Sequence, residues 1–185
     1  ARIVIHNTGI HADVMAGVEQ PNKRDLVAMK NLGQGIKDVP VITCDKGVLT
    51  IEELVASCHR EHNKQPLQMV VVDYVQLMTS RKRHHNREAE IAFITRTLKG
   101  MAKSLGVAVV ICCQLNDDGR ARESRGILFD SDAFFNIHAD HINIEKNRVG
   151  PKGPINLEMS GEYQKFTQSE RPDETTEQNK GNYRR

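Results

Sequence analysis

Long apolar runs are missing from this chain. None approaches the roughly 20 residues that a membrane-spanning helix needs, so no membrane association is expected. The opening Ala1-Arg2-Ile3-Val4-Ile5 is too short for a secretory signal and offers no cleavage site. An initial Ala in place of Met is what a fragment or a processed product would show. An excess of one charge is also missing: 26 Lys and Arg against 24 Asp and Glu leave +2. Any nucleic-acid binding therefore has to come from local patches rather than from a global field. The four cysteines, Cys44, Cys58, Cys112 and Cys113, form no repeated CxxC pattern, and two are adjacent in an apolar run. They read as free thiols in a reducing, cytoplasmic setting. Cys58, His59 and His62 on one helical stretch, and His138, Asp140 and His141 in a turn, lack the further ligands or HExxH context of a zinc site. Finally, no Gly-x-x-x-x-Gly-Lys-Ser/Thr occurs, so the loop that cradles nucleotide phosphates is absent.

The 185 residues that are there suffice for one domain with a real core. Ile10–Ala16 and Arg24–Leu32 carry helical spacing, which Gly33 and Gly35 break, and Val39–Asp45 reads as a short strand. Thr50 and Glu53 form a capping-box pattern at the start of a helix that runs to about His62. Leu67–Asp73 is a continuous apolar run ending in an acid, which suits a central parallel strand buried on both faces. A helix is expected from Glu88 to Leu105, with Ile91, Ile94, Leu98 and Met101 on one face and Gly106 ending it. Val107–Cys113 is a second buried strand. This β-α-β order implies a parallel sheet. Ala133–Ile137, His141–Glu145 and Ile155–Met159 read as short added strands, and from Gln168 the polar chain reads as a disordered tail.

Two residues stand where a parallel sheet places ligands, at the C-terminal strand ends. Asp73 closes the first strand, and such an acid either holds Mg²⁺ through water or merely caps the strand. Gln114 follows the second, where its amide suits a phosphate oxygen or a water but also suits an ordinary strand end. Between Gln114 and the next strand lies a polar loop, 116–126, with Arg120, Arg122 and Arg125 and two glycines. Loop amides and guanidinium groups suit phosphate contacts, and no aromatic interleaves to stack bases. The run Arg81-Lys82-Arg83-His84-His85 either adds to that surface or is simply solvated.

Read together, these segments resemble a known family. Val71-Val72-Asp73-Tyr74-Val75-Gln76-Leu77-Met78 is similar to the Walker B segment of DnaB-like replicative DNA helicases, where Asp-Tyr-Leu-Gln-Leu-Met is typical. Asn86–Ile91 with Arg96–Lys103 looks like that family's next helix, and Gln114-Leu115 its strand-end glutamine. Arg122-Glu123-Ser124 with Asp130-Ser131-Asp132 resembles its DNA-loop motif, Lys146–Pro151 its Lys-x-Arg-x-Gly segment, and Gly161–Phe166 its closing strand pair. The resemblance spans about residues 67–166. It implies a RecA-like P-loop NTPase fold: a mostly parallel α/β sheet flanked by helices, with added C-terminal antiparallel strands, truncated at the N-terminus. The expected organisation is a segment preceding Walker B (1–66), the C-terminal part of the motor domain (67–167) and the tail (168–185).

Roles follow from the resemblance alone. Asp73 would bind Mg²⁺ through water, and Gln114 would sense the γ-phosphate of ATP. Lys146 and Arg148 would reach the nucleotide of a neighbouring subunit in a homo-oligomeric, hexameric ring, Arg148 as the arginine finger. Arg120, Arg122, Glu123, Arg125 and Gly126 would line the channel for single-stranded DNA, and a primase or helicase loader would be a partner. The parent would be an ATP-hydrolysing helicase, and this chain alone inactive for want of the P-loop. In the DNA-loop motif the family's Arg-Glu-Ser-Gly-Ala-Ile-Glu-Gln-Asp is here Arg122-Glu123-Ser124-Arg125-Gly126-Ile127-Leu128-Phe129-Asp130, so an arginine replaces the glycine at 125 and Leu128-Phe129 replace an acid and an amide. Two other readings stay open: a RecA-like module that binds DNA or oligomerises without turnover, and a RadA-like ATPase.

Overall fold

A computed structural model describes residues 7–37, 39–114, 125–138, 140–163 and 165–169. In chain order its elements are α1 (Ala12–Ala16), α2 (Lys23–Lys37), β1 (Leu49–Thr50), α3 (Ile51–Lys64), β2 (Met69–Val72), a 3₁₀ turn (Val75–Leu77), β3 (Met78–Thr79), α4 (Arg87–Leu105), β4 (Ala108–Ile111), α5 (Arg125–Asp130), β5 (Ala133–Ile137), β6 (His141–Asn147), β7 (Gly153–Ser160) and β8 (Lys165–Gln168). Two compact units result, one from residues 44–134 and 146–150, the other from 1–43, 135–145 and 151–185.

The first unit is organised by α4. Its N-terminus is capped by Asn86, whose side chain accepts the Ala89 N–H at 2.8 Å. Its C-terminus stops at Gly106, where φ is +66°, a conformation that glycine adopts without steric cost. The spacing Ile91, Ile94, Leu98, Met101 puts four apolar side chains on one stripe, and all four are buried, against Ile51, Cys58, Val70, Val72, Val75, Val107 and Phe134 among others. The helix joins β2 to β4, which pair in parallel with Val72 opposite Ile111, so the expected β-α-β unit is present. The strands differ from expectation in one respect. Val70 and Val72 are buried, but Val71 is 59% and Val110 44% exposed, so the pair has one covered and one open face. The apolar run is legible as a strand. How many layers cover it depends on neighbours that the run does not encode.

Helix α3 starts on half of the expected capping box. Thr50 Oγ1 accepts the Glu53 N–H at 3.3 Å, while the Glu53 carboxylate turns to Arg81 at 2.9 Å. The helix extends to Lys64, within a turn of expectation.

In the second unit, α2 runs through Gly33 and Gly35 instead of stopping there. Glycine in a helix interior costs only about 1 kcal/mol relative to alanine, too little for a break by itself. Val39–Asp45 is not a strand. The Val41 N–H donates to the Val39 carbonyl at 2.8 Å, a tight turn around Pro40 that uses locally the amide a ladder would need. Strands β5 to β8, most of whose residues belong to this unit, form a sheet in chain order, β6–β7 and β7–β8 antiparallel. Gln168, expected in the tail, is the last residue of β8, and the Ser169 N–H donates to Asn156 O at 2.9 Å. The rest of the expected tail lies outside the described residues.

Candidate functional site

Past β2 and β4 the two chains stay in register for one more step. The Cys112 N–H donates to Val72 O at 2.9 Å, and the Val75 N–H to Cys112 O at 3.0 Å. These bonds hold Asp73 and Tyr74 beside the segment Cys112-Cys113-Gln114. The five residues line one hollow of about 260 Å³ at the C-terminal end of the parallel pair. Asp73 and Gln114 are therefore on adjacent strands, at the same rim, and both are exposed. An anionic oxygen donor and an amide at one rim form a donor set that suits a hydrated cation and a phosphate oxygen respectively.

Gln76, unassigned from sequence, fixes that rim. Its side-chain amide donates to Gln114 O at 3.3 Å, and its Oε1 accepts the Gln114 N–H at 3.2 Å. The main chain of Gln114 is thus held independently of its own side chain. Arg87 in turn holds the Gln76 turn, donating to Gln76 O at 2.8 Å and Met78 O at 2.9 Å, with Glu90 at 2.6 Å as its carboxylate partner. The one signal for Gln76 was its place in the Asp-Tyr-Val-Gln-Leu-Met run. For its hold by Arg87 there was none, since the acceptors there are main-chain carbonyls.

Three residues of the basic run, Arg81, Lys82 and His84, are drawn into this framework. Arg81 pairs with Glu53 at 2.9 Å, the Lys82 ammonium lies 4.9 Å from the Phe93 ring centroid, and the His84 ring lies 5.0 Å from it. Burial opposes the charge of Glu52 and of Glu90. Hydrogen bonds outweigh it, from Arg81 N–H and the Ser80 hydroxyl at Glu52, and from Ser80 N–H and Arg87 at Glu90, so both carboxyls titrate below the ordinary glutamate range. With folded values depressed, what they contribute is present at neutral pH and is lost as pH falls through those values.

Lys146 and Arg148 sit at the end of β6 and just past it. The Lys146 ammonium donates to Leu128 O at 2.7 Å and Phe129 O at 3.0 Å, capping the last carbonyls of α5, where a cation is favoured by the helix dipole. Reaching a nucleotide would require those bonds to break. The Arg148 N–H donates to Asp132 O at 2.9 Å, and its guanidinium lies 3.2 Å from the Asp132 carboxylate. Gly126 is packed rather than open: an added Cβ would stand 2.9 Å from Ala92 Cβ and 3.0 Å from Ala92 Cα. Arg120, Arg122 and Glu123 lie outside the described residues, and Arg125 opens α5. The first histidine set is dispersed, with Cys58 buried and His62 Nδ1 accepting the Leu67 N–H at 3.2 Å. In the second, His138 and His141 stack at 4.2 Å and His141 pairs with Asp140. Among the described residues no group of three or more His, Cys, Asp or Glu is arranged for a metal ion.

The family model of the DnaB-like helicase C-terminal domain matches residues 1–130, and the chain belongs to that family. Among curated relatives, the replicative DNA helicase DnaB of Leifsonia xyli is 31% identical over 169 residues, covering 78% of this chain and 37% of the relative. That of Geobacillus stearothermophilus is likewise 31% identical over 169 residues, covering 78% and 36%. The chain thus spans just over a third of the length of these relatives. The solved ATPase domain of G40P superposes with a TM-score of 0.79 at 23% identity, covering 91% of this chain and 69% of that one. A DnaB-like replicative helicase studied with primase gives 0.77 at 23%, covering 90% and 46%. The fold is the RecA-like α/β fold of these ATPase domains. No helix among the described residues is long and apolar enough to cross a membrane.

Proposed function

We propose that this chain is part of the motor of a replicative DNA helicase, a cytoplasmic ring-forming protein that hydrolyses ATP at its subunit interfaces and moves along single-stranded DNA. The observation that carries this reading is the rim on which Asp73 and Gln114 stand on neighbouring parallel strands. There Asp73 would hold Mg²⁺ through water, and the ion would supply charge neutralisation to the transferred phosphoryl group. Gln114 would address the γ-phosphate from a backbone held by Gln76. Lys146 and Arg148 would serve the nucleotide of the adjacent subunit. The loop bearing Arg120, Arg122 and Glu123, with Arg125 at the start of α5, would face the DNA, and a primase or loader would dock on the assembled ring.

The test is DNA-stimulated ATP hydrolysis by the whole protein. DNA binding with no turnover would replace the motor by a binding module. Two narrower outcomes are expected. The 185-residue chain alone should not bind ATP tightly, because its sequence has no Gly-x-x-x-x-Gly-Lys-Ser/Thr loop; a calorimetric titration showing micromolar binding would contradict this. In the whole protein, Arg122→Ala should weaken single-stranded DNA binding without regard to base sequence. It should flatten the plot of log affinity against log salt by about 0.7, one single-strand phosphate contact. An unchanged slope would remove Arg122 from the DNA surface.

A further inference from the structure

Asp132 meets two basic side chains through its carboxylate and makes a third contact through its carbonyl. It pairs with Lys99 of α4, its carboxylate faces the Arg148 guanidinium at 3.2 Å, and its carbonyl accepts the Arg148 N–H at 2.9 Å. It sits two residues beyond α5, the helix that follows the DNA loop in sequence. That helix is itself fixed at both ends. Gly126 lies against Ala92, and Asp130 accepts a 3.0 Å hydrogen bond from the hydroxyl of Thr95, which is buried in α4. Lys146, two residues before Arg148, caps its last carbonyls.

We propose that Asp132 is a positioning residue for Arg148. It holds the guanidinium by one edge, so that the remaining donors point outward in a preset orientation, and it ties the arginine to the element leading out of the DNA loop. The proposal rests on the reading of Arg148 as the finger for a neighbouring nucleotide. A guanidinium carries five donors in a rigid fork, and the Asp132 carboxylate meets one of its terminal nitrogens, Nη1. A long, 66% exposed side chain would otherwise have to be ordered during each turnover. The cluster is locked in charge as well. The hydrogen bond from Lys99 comes first in holding the Asp132 carboxyl below the usual aspartate range, and the charges of Lys99, Arg148 and Lys146 add to it against the opposing effect of burial. Asp132 thus stays ionised at neutral pH. The same tie links Arg148 to α5 through Asp132.

The experiment is steady-state ATP hydrolysis by the full-length assembled protein carrying Asp132→Asn, Asp132→Glu or Arg148→Ala, with a melting curve for each. Asp132→Asn should lower kcat about tenfold, leave KM for ATP and the melting temperature unchanged, and be largely rescued by Asp132→Glu. If Arg148→Ala abolishes turnover while Asp132→Asn leaves kcat intact, the positioning role is wrong and the finger reading survives. A fall in kcat matched by a lower melting temperature and no rescue by glutamate would make Asp132 merely structural and overturn the proposal. Should Arg148→Ala itself turn over normally, the finger reading falls and takes this proposal with it.

Discussion

Arg148→Ala in the assembled protein should reduce the rate of ATP hydrolysis by about 10³-fold or more while nucleotide affinity changes little. The residue is not placed for a large effect on folding. It lies just past β6, is 66% exposed, and is followed by Val149 at 96% exposure, so the segment projects from its unit. Its side chain makes no contribution to the buried cluster around α4. The pair with Asp132 joins two side chains that are each more than half exposed, and such surface pairs contribute roughly 0–1 kcal/mol to stability. The loss is therefore expected at the transition state, where charge spreads over the transferred phosphoryl oxygens and a planar, permanently charged guanidinium can meet it. ATP hydrolysis and nucleotide titration on the same preparation separate the two. Weakened binding with normal turnover of the residual complex would remove Arg148 from the role of finger. Lysine at this position should restore little, because an ammonium offers a point charge where the fork is needed.

The parts of this molecule that could be read from sequence are those encoded by local pattern. Four residues on one stripe, Ile91, Ile94, Leu98 and Met101, marked α4 and its buried face. Gly106 marked its end, and two β-branched runs marked the strands beside it. The juxtaposition of Asp73 with Gln114 was also legible, because a β-α-β unit puts both strand ends at one edge. What stayed hidden depends on distant partners. Gln76 was an amide like any other until the fold brought it against the main chain of Gln114, 38 residues away. Asp132 belonged to a matched motif, yet its value lies in meeting Lys99 and Arg148, which no spacing rule links to it. Lys146 was read for its charge and its reach. In the folded unit its ammonium is spent on two carbonyls of α5, an acceptor pair that exists only once the helix ends where it does.

Gly126 shows how a packing requirement can hide inside a recognition motif, and it supports a prediction whose outcome separates the two. Gly126→Val should destabilise the unit built on α4 by about 3 kcal/mol, at the upper end of the usual range for overpacking. Here the obstructing atoms are Ala92 Cβ at 2.9 Å and Ala92 Cα at 3.0 Å, which no rotamer change can move aside. Relief requires α5 to shift away from α4. That shift would disturb the Thr95–Asp130 hydrogen bond and the Lys146 cap as well. Urea denaturation of the variant checks the stability. The residue just before it, Arg125, resembles the family pattern less closely than Arg122 does, because the family's Gly-Ala stands here as Arg-Gly. A backbone free of Cβ at 126 lets this helix lie directly on Ala92 one step later than the motif would place its glycine. If Gly126 served only to bring its backbone to DNA, the valine variant would keep its stability and lose single-stranded DNA affinity. A lowered midpoint of unfolding, with affinity per folded molecule preserved, assigns the glycine to the contact between α4 and α5.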